Sequence, residues 1–266
     1  NGSPHEHGCT YTALREAADA IEKRGIETEI LWLGKGEIPG CMGCGACAKL
    51  GKCVRNDIVN ETAAKLGEYD ALIVGSPVYY AAPNGQICAF LDRLFYSAGG
   101  KLAGKLGAAV VSCRRGGATA AFDRLNKYFT INCMPIVSSN YWNQIHGNTP
   151  DEAKQDAEGL QTMRVLGENM AWLLKCIEAG RKAGVPALQN RGFLDNSTDK
   201  AEIAKRFDEL VRNAQKRGAL LIICHFRPAT VAFLEELNAR YKNLPVRFVT
   251  VPEMLALTDN GVPKKK

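Results

Sequence analysis

Apolar and polar positions alternate along this chain with two periods. Leu14, Ala17, Ala18 and Ile21 recur at helical spacing from residue 12, and Lys23-Arg24-Gly25 supplies the basic turn and glycine that stop a helix. Residues 26–33 (IETEILWL) alternate apolar and polar and predict a strand. A glycine-rich cysteine segment occupies 34–54, a short helix is expected over 57–68, and the apolar run 71–74 reads as a buried strand entering Gly75-Ser76-Pro77. Ile87, Phe90, Leu91 and Leu94 predict a helix over 84–96. Residues 106–112 (LGAAVVS) predict a further strand, 120–129 a helix and 134–137 a short strand. A polar, aromatic loop at 140–148 precedes Thr149-Pro150-Asp151, which caps a long helix reaching about residue 182.

Beyond 182 the texture changes. Ala183-Gly184-Val185-Pro186 opens an irregular stretch to 196, followed by a charged helix over 198–217 and a wholly apolar strand over 219–224 (ALLIIC) that closes on His225. A helix over 228–241 and a strand over 246–251 complete the pattern. The repeated order of strand, loop and helix predicts an α/β chain with a flavodoxin-like doubly wound parallel sheet over residues 1–186 and an α/β segment over 187–266. In such a sheet the loop at 1–11 follows a buried strand, which this sequence does not contain. Residues 219–224 or 246–251 are expected to pair with 26–33 or 70–75 in its place, because two unpaired buried strand edges are costly.

Composition narrows the function. Apolar residues make up 46% and charged residues 23%, ordinary for a globular protein with a sizeable core. There is no apolar run of membrane-spanning length and no secretory signal pattern, so a cytoplasmic protein without a membrane partner is expected. The formal charge of +6 includes the tail Lys264-Lys265-Lys266, read as a solvated end, and argues for no nucleic-acid partner. Of ten cysteines, four form C-x2-C-x2-C-x5-C at Cys41, Cys44, Cys47 and Cys53. That spacing suits a metal in a reducing compartment: four soft thiolates meet the demand of a [4Fe–4S] cluster, zinc could use the same sulfurs, and reduced structural thiols remain the alternative.

Three loops follow strands or strand slots. The first, 2–11, empties into a helix N-terminus, whose free N–H groups and dipole favour an anion, with Ser3, Thr10 and Thr12 as added hydroxyls. The second, 75–80, places backbone N–H groups beside Tyr79 and Tyr80, suited to a flat ring. The third, 112–117, sets N–H groups beside Arg114 and Arg115, suited to a carbonyl or a developing negative charge. A phosphate, a flat ring and a polar ring edge together describe flavin mononucleotide (FMN).

The segments GSPHEHGCTYT, VGSPVYYAAPNGQICAFLDR and VVSCRRGGAT, in this order, resemble the flavodoxin-like NAD(P)H-dependent flavin reductase family over about residues 1–186, and CMGCGACAKLGKC resembles the cluster loop of its iron–sulfur flavoprotein branch. The resemblance implies an FMN-dependent NAD(P)H oxidoreductase that passes electrons to a small-molecule or protein acceptor, as a homo-oligomer. It implies that Ser3, His5, Cys9, Thr10 and Tyr11 hold the phosphate, that Pro77, Val78, Tyr79 and Tyr80 hold the isoalloxazine, and that Ser112, Arg115, Gly116 and Gly117 line its edge. No protein side chain is assigned as catalytic, since the chemistry is the flavin's. The family's first strand is absent, and His5 stands where an arginine is common. Residues 183–255 resemble the C-terminal part of the divergent polysaccharide deacetylase family, with His225 matching the histidine that closes one of its late strands. That family's early acidic and histidine motifs are missing, so the alternative reading is a carbohydrate deacetylase-related remnant, or a fusion or chimera without intact activity.

Overall fold

A computed structural model describes residues 1–183, 190–240, 244–259 and 262–263, and divides the chain into two units, Asn1–Glu178 and Ala179–Lys266. The domain boundary expected at 186/187, residues 184–186 of the AGVP segment, the end of the helix expected to reach 241 and the basic tail at 264–266 lie outside the described residues.

In the first unit, α1 (Cys9–Glu22) is followed by α2 (Cys47–Leu50), α3 (Ile58–Lys65), β1 (Ala71–Tyr79), β2 (Ala82–Pro83) and α4 (Gly85–Ala98). Then come β3 (Leu106–Cys113), α5 (Ala118–Ile131), β4 (Gln144–His146), α6 (Pro150–Ala153) and α7 (Ala157–Lys182), whose last four residues are counted with the second unit. The sheet order is β2-β1-β3-β4, with β1, β3 and β4 parallel and β2 turned back antiparallel on β1. Every residue of β3 is buried because both faces are covered. Ala109, Val111 and Cys113 pack with Ile87, Leu91 and Leu94 of α4 and Leu125 and Phe129 of α5, whereas Leu106, Ala108 and Val110 pack with Leu14 of α1 and Met163 and Leu166 of α7. Strand alternation thus sends successive side chains to opposite helical layers, the doubly wound arrangement.

Residues 26–33 form no strand, which corrects the alternating-pattern expectation. Their apolar positions are still used: Ile26 and Ile30 pack on the α1 side and Leu33 is buried on the α4 side. Asn1 and Gly2 occupy the slot between 31–33 and β1, where Asn1 N donates to Leu31 O (2.7 Å), Leu33 N to Asn1 O (3.2 Å) and Gly2 N to Gly75 O (2.9 Å). A side chain on Gly2 would meet Ile87 Cβ at 2.6 Å, so only a bare backbone fits there. This short bridge cannot carry a ladder along 26–30.

The second unit contains β5 (Asn190–Phe193), α8 (Lys200–Arg217), β6 (Leu221–Ile223), α9 (Pro228–Arg240), α10 (Val251–Leu257), β7 (Thr258–Asp259) and β8 (Val262–Pro263). β5 and β6 pair in parallel, and β7 and β8 form a separate antiparallel pair. Leu194, Ile203, Phe207, Leu210 and Phe233 make the core. The strand-replacement expectation is therefore corrected: β6 finds its partner in β5, and 246–250 is not a strand.

Candidate functional site

The first turn of α1 has no side-chain cap; Gly8 occupies the N-cap position. Backbone donors at this terminus are therefore available to the loop in front of it. That loop is held by its own polar groups: Ser3 N donates to Asn1 Oδ1 (3.0 Å), His5 N to Ser3 Oγ (3.1 Å), Asn1 Nδ2 to Glu6 O (2.9 Å) and Trp32 Nε1 to Ser3 O (2.8 Å). Ser3 is buried, His5 and His7 are exposed, and the His7 ring meets Tyr11 edge-on at 4.7 Å.

Thr10 is placed differently from expectation. Its hydroxyl lies 2.7 Å from Ser112 Oγ and both residues are buried, so the pair ties α1 to β3 instead of presenting two hydroxyls to the loop. Thr12 likewise turns back and donates to Gly8 O (3.3 Å). Cys9 Sγ reaches Gly147 O at 3.6 Å, and burial is the main cause raising its thiol pKa.

Strand β1 runs on past the expected end at 74, so Pro77, Val78 and Tyr79 are strand residues: Pro77 pairs with Ser112, and Tyr79 with Ala82 of β2. The reversal comes at Tyr80 and Ala81, both left-handed with φ of 50° and 58°. It exposes Tyr79 and leaves Tyr80 wholly in solvent. Gly117 (φ 88°) backs onto this turn, its Cβ direction meeting Ala81 Cα at 2.8 Å, while a Cβ on Gly116 would meet nothing within 4 Å. The second and third loops thus abut through Gly117, beside open space at Gly116. Arg114 and Arg115 are exposed on the same loop. The three loops converge at the C-terminal edge of β1 and β3, the position where open α/β sheets bind ligands.

A fourth loop joins them. β4 lies where a loop was expected, and beyond it Gly147 N donates to Cys113 O (3.1 Å) while Gly147 O faces Cys9. His146 N donates to Asp156 Oδ2 (2.7 Å). Ile145 is fully buried between two half-exposed polar residues.

The four cysteines of the 34–54 segment are free thiols, Cys41 and Cys44 exposed and Cys47 and Cys53 half-buried. Among the described residues no three His, Cys, Asp or Glu side chains are disposed to hold a metal, so the structure does not gather these sulfurs into a ligand set. Cys47 Sγ is directed to Tyr96 O (3.7 Å) and Cys53 Sγ accepts from Arg93 Nε (3.3 Å). Burial pushes the Cys53 thiol up, but the Arg55 N–H and the Arg93 guanidinium outweigh it and hold its pKa below the usual value. The donor chemistry nonetheless fits a soft metal: the thiols are unpaired, and Gly43, Gly45 and Gly51 give the segment left-handed turns.

In the second unit, Asp195 and His225 follow the adjacent parallel strands β5 and β6. Asp195 is fully buried and accepts from His225 N (2.9 Å) and Thr230 Oγ1 (2.8 Å), with His225 Nδ1 at 3.0 Å. His225 is thus anchored by a carboxylate rather than by backbone.

The model of the family described as NADPH-dependent FMN reductase matches residues 1–149, more than half of the chain. The chain belongs to the NADPH-dependent FMN reductase family. Within it, an iron–sulfur flavoprotein of Methanocaldococcus jannaschii is 36% identical over 186 residues, covering 67% of this chain and 96% of the relative, and an iron–sulfur flavoprotein of Methanosarcina thermophila is 29% identical over 185 residues, 68% of this chain and 96% of the relative. Residues 175–255 match the model of the divergent polysaccharide deacetylase family. Among solved structures, RosB with its bound intermediate 8-demethyl-8-formylriboflavin-5'-phosphate shares the fold at 15% identity and a TM-score of 0.51, over 91% of this chain and 92% of that one. The family is FMN-binding, and an oxidoreductase is the class it supports. Among the described residues no helix is long and apolar enough to cross a membrane.

Proposed function

We propose that the first unit binds FMN at the C-terminal edge of β1 and β3 and acts as an NAD(P)H-dependent oxidoreductase. The observation that carries this reading is the convergence there of an uncapped helix N-terminus, a tyrosine-bearing turn and a glycine loop beside open space. The phosphate is assigned to the α1 N–H groups of Cys9, Thr10 and Tyr11 with Ser3 and His5. Pro77, Val78, Tyr79 and Tyr80 flank the ring, and Arg115, Gly116 and Gly117 its polar edge, with Ser112 buttressing through Thr10. Bound FMN supplies hydride acceptance and electron delivery. The protein fixes the ring's orientation, and the exposed Arg114 and Arg115 favour the negative charge of a reduced flavin. Names of the relatives and the donor chemistry favour a [4Fe–4S] cluster on Cys41, Cys44, Cys47 and Cys53 after closure of their segment, giving single-electron transfer to a small-molecule or protein acceptor.

Titration of the chain with FMN, followed by anaerobic NADPH or NADH, tests the reading. Saturable FMN binding and bleaching of the flavin's visible band by either nucleotide are expected. Absence of FMN binding sinks the site assignment, and binding without bleaching sinks the nucleotide as donor.

A further inference from the structure

Arg93 is a charged residue in an apolar helix face, between Phe90 and Leu94, and is only 2% exposed. A guanidinium so placed must satisfy its donors within the protein. It makes five contacts, matching its five N–H groups. Nε donates to Cys53 Sγ (3.3 Å), one terminal nitrogen to Asp57 Oδ2 (2.6 Å) and Pro39 O (3.3 Å), and the other to Asp57 Oδ1 (2.9 Å) and Arg55 O (3.2 Å). Pro39 precedes Cys41 by two residues and Arg55 follows Cys53 by two, so one buried group pins both ends of the cysteine segment.

Cys53 is fixed a second time through its backbone. Its N–H donates to Asn60 Oδ1 (3.0 Å) and its carbonyl accepts from Asn60 Nδ2 (2.9 Å). Cys47 Sγ rests on Tyr96 O, one turn of α4 beyond Arg93, so both of these sulfurs lie along the same stretch of helix. The middle of the segment is different. Cys41 and Cys44 are exposed, and the left-handed Gly43, Gly45 and Gly51 have nothing within 4 Å of their Cβ directions. The segment is pinned at both ends and at Cys47, and its exposed Cys41 and Cys44 lie between those points.

We propose that Arg93 is a positioning residue for a four-thiol metal site: it presets Cys53 as the fixed ligand, to which Cys47, Cys44 and Cys41 close when a thiophilic metal binds. The proposal rests on the reading of this segment as a metal–thiolate site. Its geometry asks for an arginine, since a lysine ammonium has three donors and cannot span Asp57, two loop carbonyls and a sulfur with one planar fork.

Anaerobic titration of the reduced chain with Co2+ tests it, read by the thiolate-to-cobalt charge-transfer band, whose intensity reports the number of bound sulfurs. The native chain is expected to give a four-thiolate band. Arg93→Met is expected to weaken Co2+ binding at least tenfold and to lower the band, with far-UV circular dichroism and FMN binding retained; Arg93→Lys is expected to restore the affinity only in part. If Arg93→Met does not fold, Asp57→Asn, which keeps the α3 cap but withdraws one acceptor from the guanidinium, is expected to weaken Co2+ in the same direction. Native affinity and band in the folded Arg93 variant, or in Asp57→Asn where that variant does not fold, overturn the positioning role. A native chain without a thiolate band overturns the metal reading itself, and the proposal with it.

Discussion

Thr10 and Ser112 lie 102 residues apart in sequence, yet their hydroxyls meet at 2.7 Å in the core. This bond joins the start of α1 to the end of β3, and so couples the loop assigned to the phosphate to the loop assigned to the ring edge.

Thr10→Val removes the bond while keeping the shape of the side chain, and strands the Ser112 hydroxyl in the core. The expected loss is about 1–3 kcal/mol of stability by urea denaturation. Adding Ser112→Ala should recover part of it, because neither hydroxyl is then left unpaired. A double variant no better than the sum of the singles would show that the two groups are not coupled.

A side chain at Gly116 points into open space. Gly116→Leu is therefore expected to melt like the native chain yet lose at least tenfold in FMN affinity. Equal affinity would place the flavin ring elsewhere.

Gly117 and Ala81 give opposite expectations at one contact. Gly117→Ala combines a φ of 88° with a 2.8 Å approach to Ala81 Cα, and should cost about 2 kcal/mol or more. Ala81→Gly relieves a left-handed alanine and should stabilise by about 0.5–1 kcal/mol. A neutral Gly117→Ala would mean that the turn shifts away without penalty.

In the second unit burial raises the Asp195 carboxyl, but hydrogen bonds from Thr230 and His225 outweigh it and leave the pKa below its ordinary value of 3.8. The stabilisation is present above 3.8 and lost as pH falls through the folded value. Asp195→Asn should destabilise by about 2–4 kcal/mol at neutral pH, since a buried carboxylate loses its place opposite several donors. An unchanged denaturation curve would deny the anchoring role of Asp195.

Burial patterns made much of the first unit legible. The run 106–111 is the doubly covered part of β3 because it carries no polar side chain, and α1 follows the spacing of Ala13, Leu14, Ala17 and Ile21. Pairing was less legible. Residues 26–33 keep their alternating burial without a ladder, because alternation reports which side chains face a core and not whether the backbone has a partner. β4 has three residues, too few for a period to stand out from the loop around it. At the site, the loops could be read from their glycines and hydroxyls. The direction of Thr10 could not be read from the hydroxyl, although its position four residues before Leu14 puts it on the buried face of α1. The cysteine spacing was plain, but spacing alone does not bring the sulfurs together, and among the described residues Cys47 and Cys53 turn to Tyr96 O and Arg93 instead.

The Gly2–Gly75 bond brings a different consequence. The loop assigned to the phosphate is expected to take its shape only after β1 and the segment 31–33 are in place, since its entrance is tied to both. Its order is thus acquired late, after the long-range contact between distant segments has closed. A ligand seated on such a loop is absent from the folding barrier, so FMN should leave the rate of refolding unchanged and act by slowing unfolding alone.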